Sequence, residues 1–525
     1  MLELLPPRPI PADRSGERAG ALGLPAGRRS RANGLHVAFP RGSDALLVVA
    51  MVALGITLLL LLPRTFGVDS WLALVAGREV WSGGLPHQET LTAMSHGAPW
   101  VDQQWLSQLA SYAIYRIGGL GLLGVTSVTM MTVAVGAAVL AARRRGARAW
   151  GVMAMFGLCL TQILPAGEVR TQAFAMPLIV ATTLLLSADS RRHTRRVYWC
   201  LPILVVWANL HGTALIGAAM VCLRGLLLAS DRWREAPARD SAWRRWRGPV
   251  ALTLGAPLCL LITPYGLSIV SYYQATMMNS GIRHLVTEWQ PITSDLAIAV
   301  PFFILAGLVV WSFGRRPTTT TVWEKVVLLV LAASSIMVIR NGLLFGLAAL
   351  AIVPASLDAA LPRRPPRTVP VRNRLNTALC VSTFAALAIV IMSTLLRPGA
   401  AFEHYSQRPR VLDVVRAATL RDPTLKVFAD VRFADWLLWR DPQLRGRIAN
   451  DARFELLTGS QMIRLVRVLS AVGPDWKQGA NGYRLLVLDR AASPDSVRGF
   501  LAEPGHRVLY DDGERIVILR SARGR

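Results

Sequence analysis

Two carboxylates stand where they could carry out chemistry at a membrane boundary. Asp69 follows the first long apolar run, and Asp102 opens a second amphipathic segment. A carboxylate in such a place could deprotonate a hydroxyl group or bind a divalent cation. Each Asp could instead cap the N-terminus of a helix, an interaction that contributes about 1 kcal/mol. We predict Asp69 and Asp102 as candidate catalytic and metal-binding residues.

A second set of polar residues lies at the ends of apolar runs further along the chain. The set comprises Arg170, Asn209, His211, Glu288, Trp289 and Arg340. Guanidinium groups match the oxygen geometry of phosphates, so Arg170 and Arg340 are candidates for binding a phosphate group. Any one of these residues could also cap a helix or snorkel to an interface. Taken together, they predict a substrate- and phosphate-binding site on one face of the molecule.

The elements that must position these residues are membrane helices. The chain has 525 residues, 53% of them hydrophobic and only 17% charged, and a mean hydropathy of +0.39. Soluble domains are less hydrophobic and more charged than this. We predict an all-α polytopic membrane protein with about eleven transmembrane helices. The apolar runs that predict them are 45–62, 118–142, 149–164, 172–187, 198–210, 213–229, 249–263, 295–313, 322–339, 342–361 and 376–396.

The basic residues indicate the orientation of these helices. The net charge is +26, which in a soluble protein would suggest nucleic-acid binding. Alternate connecting segments, however, hold 29 Lys and Arg residues on one side and six on the other. Basic residues concentrate on the cytoplasmic side of membrane proteins. The sequence therefore predicts a cytoplasmic N-terminus, an extracytoplasmic C-terminal segment and no nucleic-acid partner.

Three regions follow from this arrangement. Residues 1–43 are rich in Pro, Arg and Gly and predict a disordered basic cytoplasmic tail. Residues 44–396 form the transmembrane domain, with large outer loops at 64–105 and 264–294. Residues 397–525 predict an extracytoplasmic α/β domain, because β-like runs at 426–429, 484–488 and 515–519 alternate with helix-like stretches.

Several kinds of site find no support in the sequence. The five cysteines lie in apolar runs and form no C-x-x-C pair, which argues against disulfides and thiolate metal sites. We find no Walker motif, no Gly-rich nucleotide loop, no H-E-x-x-H and no G-x-S-x-G. An activated substrate must therefore reach the protein in another form, such as a lipid-linked donor.

At this point the chain resembles the GT-C superfamily of bacterial polytopic glycosyltransferases, over about 45–360. Similar proteins are the protein O-mannosyltransferases, the aminoarabinose transferases of lipid A and a set of uncharacterised bacterial membrane proteins. The motifs that carry the resemblance are Asp69-x-Trp71, Gly77, Leu85-Pro86-His87, Pro99-Trp100-Val101-Asp102-x-x-Trp105-Leu106, Trp207-x-Asn209-Leu210-His211-Gly212 and Glu288-Trp289-Gln290-Pro291.

The resemblance implies an enzyme that takes a sugar from a polyprenyl-phosphate carrier at the outer face of the membrane. Asp69 would act as the base or as a carboxylate supporting a metal, and some members need a divalent cation such as Mg or Mn. The chain departs from the O-mannosyltransferases where their Asp-Glu pair is Asp69-Ser70. Asp102 is the best substitute for the second carboxylate.

These inferences lead to one main hypothesis and two alternatives. The main hypothesis is an inverting membrane glycosyltransferase of the bacterial plasma membrane. Its partners would be membrane lipid, a polyprenyl-phosphate-linked sugar and a cell-envelope glycan, lipid or protein acceptor. The first alternative is a transporter or flippase of a lipid-linked glycan, which would need ionisable residues within its spans. The second is a catalytically inactive scaffold on the same fold.

Overall fold

The computed structural model describes residues 43–234, 242–278, 286–362, 373–403 and 409–521. The predicted basic tail lies outside the described residues except for Ser43, where the first helix begins. The described residues before 397 fold almost entirely as helices. They are α1 (Ser43–Leu61), α2 (Val68–Gly83), α3 (Trp105–Arg144), α4 (Ala149–Ile163), α5 (Gln172–Arg191), α6 (Cys200–Leu210), α7 (Ala214–Arg234), α8 (Ala242–Leu260), α9 (Ile269–Met278), α10 (Leu296–Arg315), α11 (Val322–Met337), α12 (Gly342–Ala360) and α13 (Asn373–Leu395).

The chain is a multi-pass membrane protein. In its described part, seven helices are long and apolar enough to cross a bilayer: α1, α3, α5, α7, α10, α12 and α13. Each of the eleven predicted runs overlaps a helix. The four remaining helices differ from the seven, since α4, α6 and α11 have only 15, 11 and 16 residues, and α8 has three arginines among its first six residues. A span needs about 20 apolar residues.

Helix α12 is the buried centre of the bundle. Its residues pack against α3, α4, α10 and α11, and nearly the whole helix is removed from the surface. Gly342 and Gly346 allow this close approach, because a Cβ at either residue would meet the side chain of Gln162 in α4. Helix α13 packs on α1 and exposes most of its apolar side chains. An apolar surface of this kind is the one that lipid covers.

Helix α2 lies outside the bundle and packs on the start of α3. Gly77 makes this contact possible, since a Cβ there would lie 2.2 Å from the carbonyl oxygen of Gln108. Helix α3 is kinked at Gly118 and Gly119, where the φ of Gly119 is +66°. Its first part therefore belongs to the outer loop and its second part to the membrane bundle.

The C-terminal segment is an α/β unit with one four-stranded sheet. The strand order is β1-β2-β4-β3, with β1 and β2 parallel and the other pairs antiparallel. Val427 pairs with Leu485 and Leu486 with Ile518. The elements are α14 (Ala400–Glu403), α15 (Pro409–Arg421), β1 (Val427–Ala429), α16 (Val431–Arg440), α17 (Gly459–Ser470), β2 (Leu485–Asp489), α18 (Pro494–Leu501), β3 (Arg507–Asp511) and β4 (Arg515–Leu519).

The first outer loop extends this sheet. Thr92 pairs in parallel with Ile448, which in turn pairs with Val427 of β1. The amides of Ala93 and Met94 donate to the carbonyls of Ile448 and Ala449 at 2.7 and 3.0 Å. One hydrophobic core also runs from the membrane helices through α2 into α16 and β2. The α/β unit is therefore joined to the membrane helices by both backbone pairing and a shared core.

Helix α16 is held on α2 by Arg78. The guanidinium donates to the carbonyls of Leu438 and Trp439 at 2.8 and 2.9 Å, and lies 5.2 Å from the ring centroid of Trp439. A cation at the C-terminus of a helix satisfies carbonyls that have no partner within the helix. This contact fixes the C-terminal end of α16 on α2.

Candidate active site

A cavity of about 500 Å³ lies where one end of the membrane helices meets the α/β unit. Its wall comes from both parts of the chain. The membrane part contributes the N-terminus of α2, residues 100–104, residues 168–171, α9, residues 286–289 and Arg340. The α/β unit contributes Val431 and residues 452–455. Val431 and residues 452–455 therefore form one side of the cavity, here called the roof, which the two predicted outer loops alone do not supply.

Arg170 is the charged centre of one wall. Its side chain is 8% exposed and pairs with three carboxylates: Glu288 at 2.6 Å, Glu168, and Asp69, whose Oδ2 lies 3.5 Å from Nε. These negative charges raise the pKa of Arg170 further above its usual value, against the opposing effect of burial. Arg170 is therefore a fixed positive charge on the cavity wall.

Asp69 occupies the first turn of α2 but does not cap it. The N-cap residue is Gly67, whose amide donates to the side chain of Ser70 at 3.2 Å. The helix-cap interpretation of Asp69 is therefore wrong. Its side chain is two-fifths exposed and lines the cavity. The cap of α3 is likewise Gln104 and not Asp102.

Arg340 and His211 form a second basic group. The Nη2 of Arg340 lies 3.0 Å from Nε2 of His211, and Nδ1 of the imidazole lies 2.9 Å from the hydroxyl of Thr213. Burial and the charges of Arg340 and Arg170 hold the pKa of His211 well below its usual range. The imidazole is therefore neutral, and its Nε2 accepts from Arg340, because a guanidinium can only donate. His211 positions the guanidinium of Arg340, which lines the cavity.

Asn209 has a different place from the one predicted. Its Oδ1 accepts from Trp105 Nε1 at 2.9 Å, and its Nδ2 donates to the carbonyls of Val205 and Ile262 at 2.8 and 2.9 Å. It lies outside the described residues that line the cavity. Asn209 ties the start of α3 to α6 and to the chain after α8. Glu288 and Trp289, in contrast, line the cavity as the sequence predicts.

Arg453 joins the roof to the first outer loop, and the sequence analysis missed it. It lies 2.5 Å from Glu89, pairs with Asp451 and stacks over Trp100, with 4.2 Å between guanidinium and ring centroid. Both carboxylates raise the pKa of Arg453. The only sequence signal was the charged run Asp451-Ala452-Arg453, which has no spacing template.

Two carboxyl groups of the cavity lack an ion pair within the described residues. They are Asp102, which is 3% exposed, and Glu455, which follows the roof residue Phe454. Burial raises the pKa of Asp102 to about 7, against the lowering effect of Arg453 and of hydrogen bonds from Gln104 and Gln108. Burial likewise raises the pKa of Glu455 to about 7. Both groups therefore titrate near neutral pH.

Several polar atoms on the cavity wall have no hydrogen-bond partner within the described chain. They are Oδ2 of Asp102, Oε1 of Gln103, Oε1 of Gln108 and Nε of Arg340. Buried polar atoms without partners cost free energy, and proteins satisfy nearly all of them. The side chains around this cavity therefore include both hydrogen-bond donors and hydrogen-bond acceptors that the described chain leaves without partners.

A path of apolar residues leads away from the cavity. A second cavity of about 200 Å³ shares Tyr272, Thr276 and Arg340 with the first, and His211 lies on its wall. A third, of about 390 Å³, shares Leu215, Tyr273 and Met277 with the second and is lined almost wholly by apolar side chains of α8 and α9. The lining thus changes from charged to apolar along one direction.

Metal ligands do not converge at this site. In the described ranges, no group of three or more His, Cys, Asp and Glu side chains is placed to hold a metal ion. The carboxylates of Asp69, Glu168 and Glu288 face the guanidinium of Arg170 instead. The residues present therefore do not form a three-ligand cation site.

Comparisons with known proteins bear on the fold. No family model matches the sequence, and no curated protein matches it. Among solved structures, the chain is similar to the archaeal oligosaccharyltransferase AglB from Archaeoglobus fulgidus, in complex with an inhibitory peptide and a dolichol-phosphate. That likeness has a TM-score of 0.50 and 10% identity, and covers 85% of this chain and 70% of that chain.

A second similar structure is ArnT from Cupriavidus metallidurans bound to undecaprenyl phosphate. Its TM-score is 0.47 with 15% identity, covering 91% of this chain and 99% of that chain. The likeness to AglB shows that the chain shares the fold of that oligosaccharyltransferase. The motifs in the first outer loop predicted this fold, and that prediction is confirmed.

Proposed function

We propose that this protein is a membrane glycosyltransferase that moves a sugar from a polyprenyl-phosphate carrier to a hydroxyl group of a cell-envelope acceptor. One observation carries the proposal. Two fixed cations, Arg170 and Arg340, and the carboxylates Asp69 and Asp102 line a single cavity that continues into an apolar groove. A lipid-linked sugar phosphate has the same sequence of parts: a polar sugar, an anionic phosphate and an apolar chain.

The donor would lie along this path. The polyprenyl chain would occupy the groove of α8 and α9, and the phosphate would meet Arg340. The sugar would then enter the main cavity, whose wall includes the polar side chains of Gln103 and Gln108. The dolichol-phosphate in the AglB structure, which has the same fold, supports this class of carrier.

The reaction would be a single displacement with inversion. The acceptor oxygen attacks the anomeric carbon from the side opposite the phosphate, and the bond from that carbon to the phosphate oxygen breaks. The developing phosphate charge is stabilised by Arg340 and Arg170, whose positions are fixed by His211 and by three carboxylates. The proton of the acceptor passes to a carboxylate of the cavity, for which Asp69 and Asp102 are the predicted groups.

A divalent cation, Mg or Mn, stays a prediction from the resemblance. The described residues do not offer three ligands to such an ion. Positive charge at the cavity comes instead from Arg170 and Arg340. No step of the proposed mechanism therefore passes through a metal.

The orientation in the membrane is part of the proposal. The bias of basic residues supports a cytoplasmic N-terminus and an extracytoplasmic α/β unit. The cavity lies beside that unit, which would place the reaction at the outer face of a bacterial plasma membrane. Surrounding lipid would cover apolar helices such as α13.

The structure weighs against the two alternatives. Arg224, the charge within a span that a transporter would use, is 5% exposed and paired with Asp189 at 2.8 Å. In a catalytically inactive scaffold, the polar residues would not need to line a common cavity. Here Asp69, Asp102 and two arginines share one cavity. These contacts favour a transferase.

The test uses the purified protein in lipid nanodiscs with radiolabelled undecaprenyl-phosphate sugars and bacterial membrane extract. We expect consumption of one donor by the wild type. Asp69→Asn should abolish it, because Arg170 loses an ion-pair partner and the cavity loses a carboxylate. Asp495→Asn, a change at an exposed carboxylate of α18, is the matched control and should keep full activity. If no donor is consumed while undecaprenyl phosphate also fails to bind, the proposal is wrong.

A further inference from the structure

The carboxylates around the cavity fall into two groups with different partners. Asp69, Glu168 and Glu288 all pair with Arg170. Asp102 and Glu455 form no ion pair in the described part of the chain. An ion pair with a guanidinium lowers the affinity of a carboxylate for a proton. The two unpaired carboxylates are therefore the better proton acceptors.

Asp102 and Glu455 come from different parts of the chain and face the same space. Asp102 belongs to the first outer loop, and Glu455 belongs to the α/β unit, yet both line the main cavity. Asp102 is 3% exposed, and its Oδ2 has no partner. The negative charge of Asp102 also acts on Glu455 and favours protonation of the latter. The charge of Asp102 thus acts on the ionisation of Glu455 across the cavity that both residues line.

The position of Glu455 is tightly held. It lies in the 3-10 turn Phe454–Leu456, whose amides at Phe454 and Leu456 donate to Ala452 and Arg453 at 3.0 Å each. The turn packs on α9 of the second outer loop. Arg453, just before it, is anchored by Glu89 and Asp451. A side chain on so rigid a support can hold a defined geometry toward a substrate.

We infer that Glu455 is a further catalytic residue of this site, forming with Asp102 a carboxylate pair that receives the proton of the acceptor hydroxyl. This inference rests on the proposed transferase function. The acceptor O–H bond breaks as its oxygen bonds to the anomeric carbon, and the carrier phosphate leaves with the electron pair of the broken bond. The proton joins the pair, and no further reactant is needed. Asp69 then serves to hold Arg170.

The surroundings of the pair suit this role. The charged and titratable groups that act on it are Arg453 and Asp451 of the α/β unit, and Tyr265 and Tyr272 of the second outer loop. Burial raises the pKa of both tyrosines, so they stay neutral near pH 7. A general base is most effective when its pKa lies near the working pH. The pair meets this condition, with pKa values of about 7.

The experiment measures initial rates of the full-length protein in nanodiscs, using the undecaprenyl-phosphate sugar that the wild type consumes. We expect Glu455→Gln to lower kcat at pH 7 by about 100-fold with little change in KM for the donor. Glu455→Asp should recover part of the rate. The double variant with Asp102→Asn should be no slower than the slower single variant, because residues that act as a unit are not additive. Glu514→Gln, an exposed carboxylate of the same unit, should match the wild type.

The pH profile separates catalysis from structure. The wild-type rate should rise with pH through about 7, because the pair must be ionised to accept a proton. In Glu455→Gln this rise should move to lower pH, since one negative charge near Asp102 is gone. An infrared carboxylic-acid band that titrates near pH 7 in the wild type and weakens in Glu455→Gln provides a measurement that needs no donor.

Two results overturn the inference and can be told apart. An active wild type whose donor KM rises on Arg340→Gln, while Glu455→Gln keeps its kcat and pH profile, would refute the role of Glu455 and leave the transferase standing. A wild type that consumes no donor and binds no undecaprenyl phosphate would refute the transferase and this inference together. A folded Glu455→Asp with wild-type thermal unfolding excludes misfolding as the cause of a lost rate.

Discussion

The two ends of the helix bundle both bury charged groups, but they treat them differently. At the end away from the α/β unit, Glu324 of α11 is 0% exposed and accepts hydrogen bonds from Arg145, Arg191 and Ser187. At the end beside the α/β unit, Asp102 is almost as buried, but one of its oxygens has no partner. Complete pairing holds helices together, whereas incomplete pairing beside a cavity provides a place for a ligand.

The same contrast holds for the arginines. Arg224 is fully engaged by the side chain and the backbone carbonyl of Asp189. Arg340 has one nitrogen on His211, while its Nε is buried without a partner. Burial of a charged group therefore does not by itself identify a functional residue. Hydrogen bonds that remain unmade at a buried charged group are the more informative feature.

The largest effect on stability should come from the fully paired end. Glu324→Ala leaves Arg145 and Arg191 without their carboxylate and should lower the free energy of unfolding by about 3–5 kcal/mol. Thermal or denaturant unfolding in detergent measures it. A loss below about 1 kcal/mol would contradict the view that this end is structural.

A change at the incompletely paired end should instead affect activity. Arg340→Gln removes a guanidinium that we propose to stabilise the leaving phosphate, which is expected to cost about 3 kcal/mol of transition-state stabilisation, or roughly 100-fold in rate. The free energy of unfolding should stay within about 1 kcal/mol of the wild type. Arg340→Lys is the informative comparison, because it keeps the charge but loses the fork of donors. Unfolding losses larger than the rate losses would contradict the contrast.

Asp102 should make the free energy of unfolding depend on pH, and the Glu324→Ala variant should not reproduce this dependence. Its pKa is raised to about 7 in the folded protein, above 3.8 when unfolded. Its contribution to stability is therefore fully present below about pH 4 and is lost as the pH rises through 7. In Asp102→Asn this loss is absent. Between about pH 4 and pH 7, the free energy of unfolding of the variant should therefore rise relative to that of the wild type by about 1.4 kcal/mol per pH unit. Parallel unfolding curves at pH 5, 6 and 7 measure the gain, and equal slopes for both proteins would refute it.

The smallest effect is expected at an exposed pair that belongs to neither end. Asp495 and Arg498 of α18 are paired while both remain mostly solvent-exposed. Surface ion pairs contribute about 0–1 kcal/mol. Asp495→Asn should therefore change the unfolding free energy by less than about 1 kcal/mol, as measured by the same unfolding curves. A larger change would show that pairing matters even without burial.

Much of the fold could be predicted from the sequence, because apolar runs and turn signals are local features. The runs that became α1 and α13, and the β-like runs that became β1, β2 and β4, are examples. Strand β3 was missed, since its residues are mostly exposed and carry no buried alternation. Eleven apolar runs predict eleven spans, whereas seven helices of the described chain are long and apolar enough to cross a bilayer, because the other four runs form helices that are shorter or more charged.

Only some residues of the candidate site could be predicted from the sequence. Asp69, Arg170 and Arg340 could be chosen because they are charged residues at the ends of apolar runs. Glu455 and Arg453 lie more than 380 residues after Asp69, in a unit with many surface charges, and nothing local distinguishes them. Asn209 had the same local signal as His211, but its contacts with Trp105 and two backbone carbonyls decide a different role.

Composition and hydropathy were enough to predict a membrane protein whose polar motifs lie at the ends of apolar runs, since both are properties of neighbouring residues. The sequence did not reveal which charged side chains form ion pairs and which have none, because that depends on the tertiary structure. Pairing depends on contacts between residues such as Glu89 and Arg453, which are far apart in the chain and are brought together where the first outer loop pairs with the α/β unit.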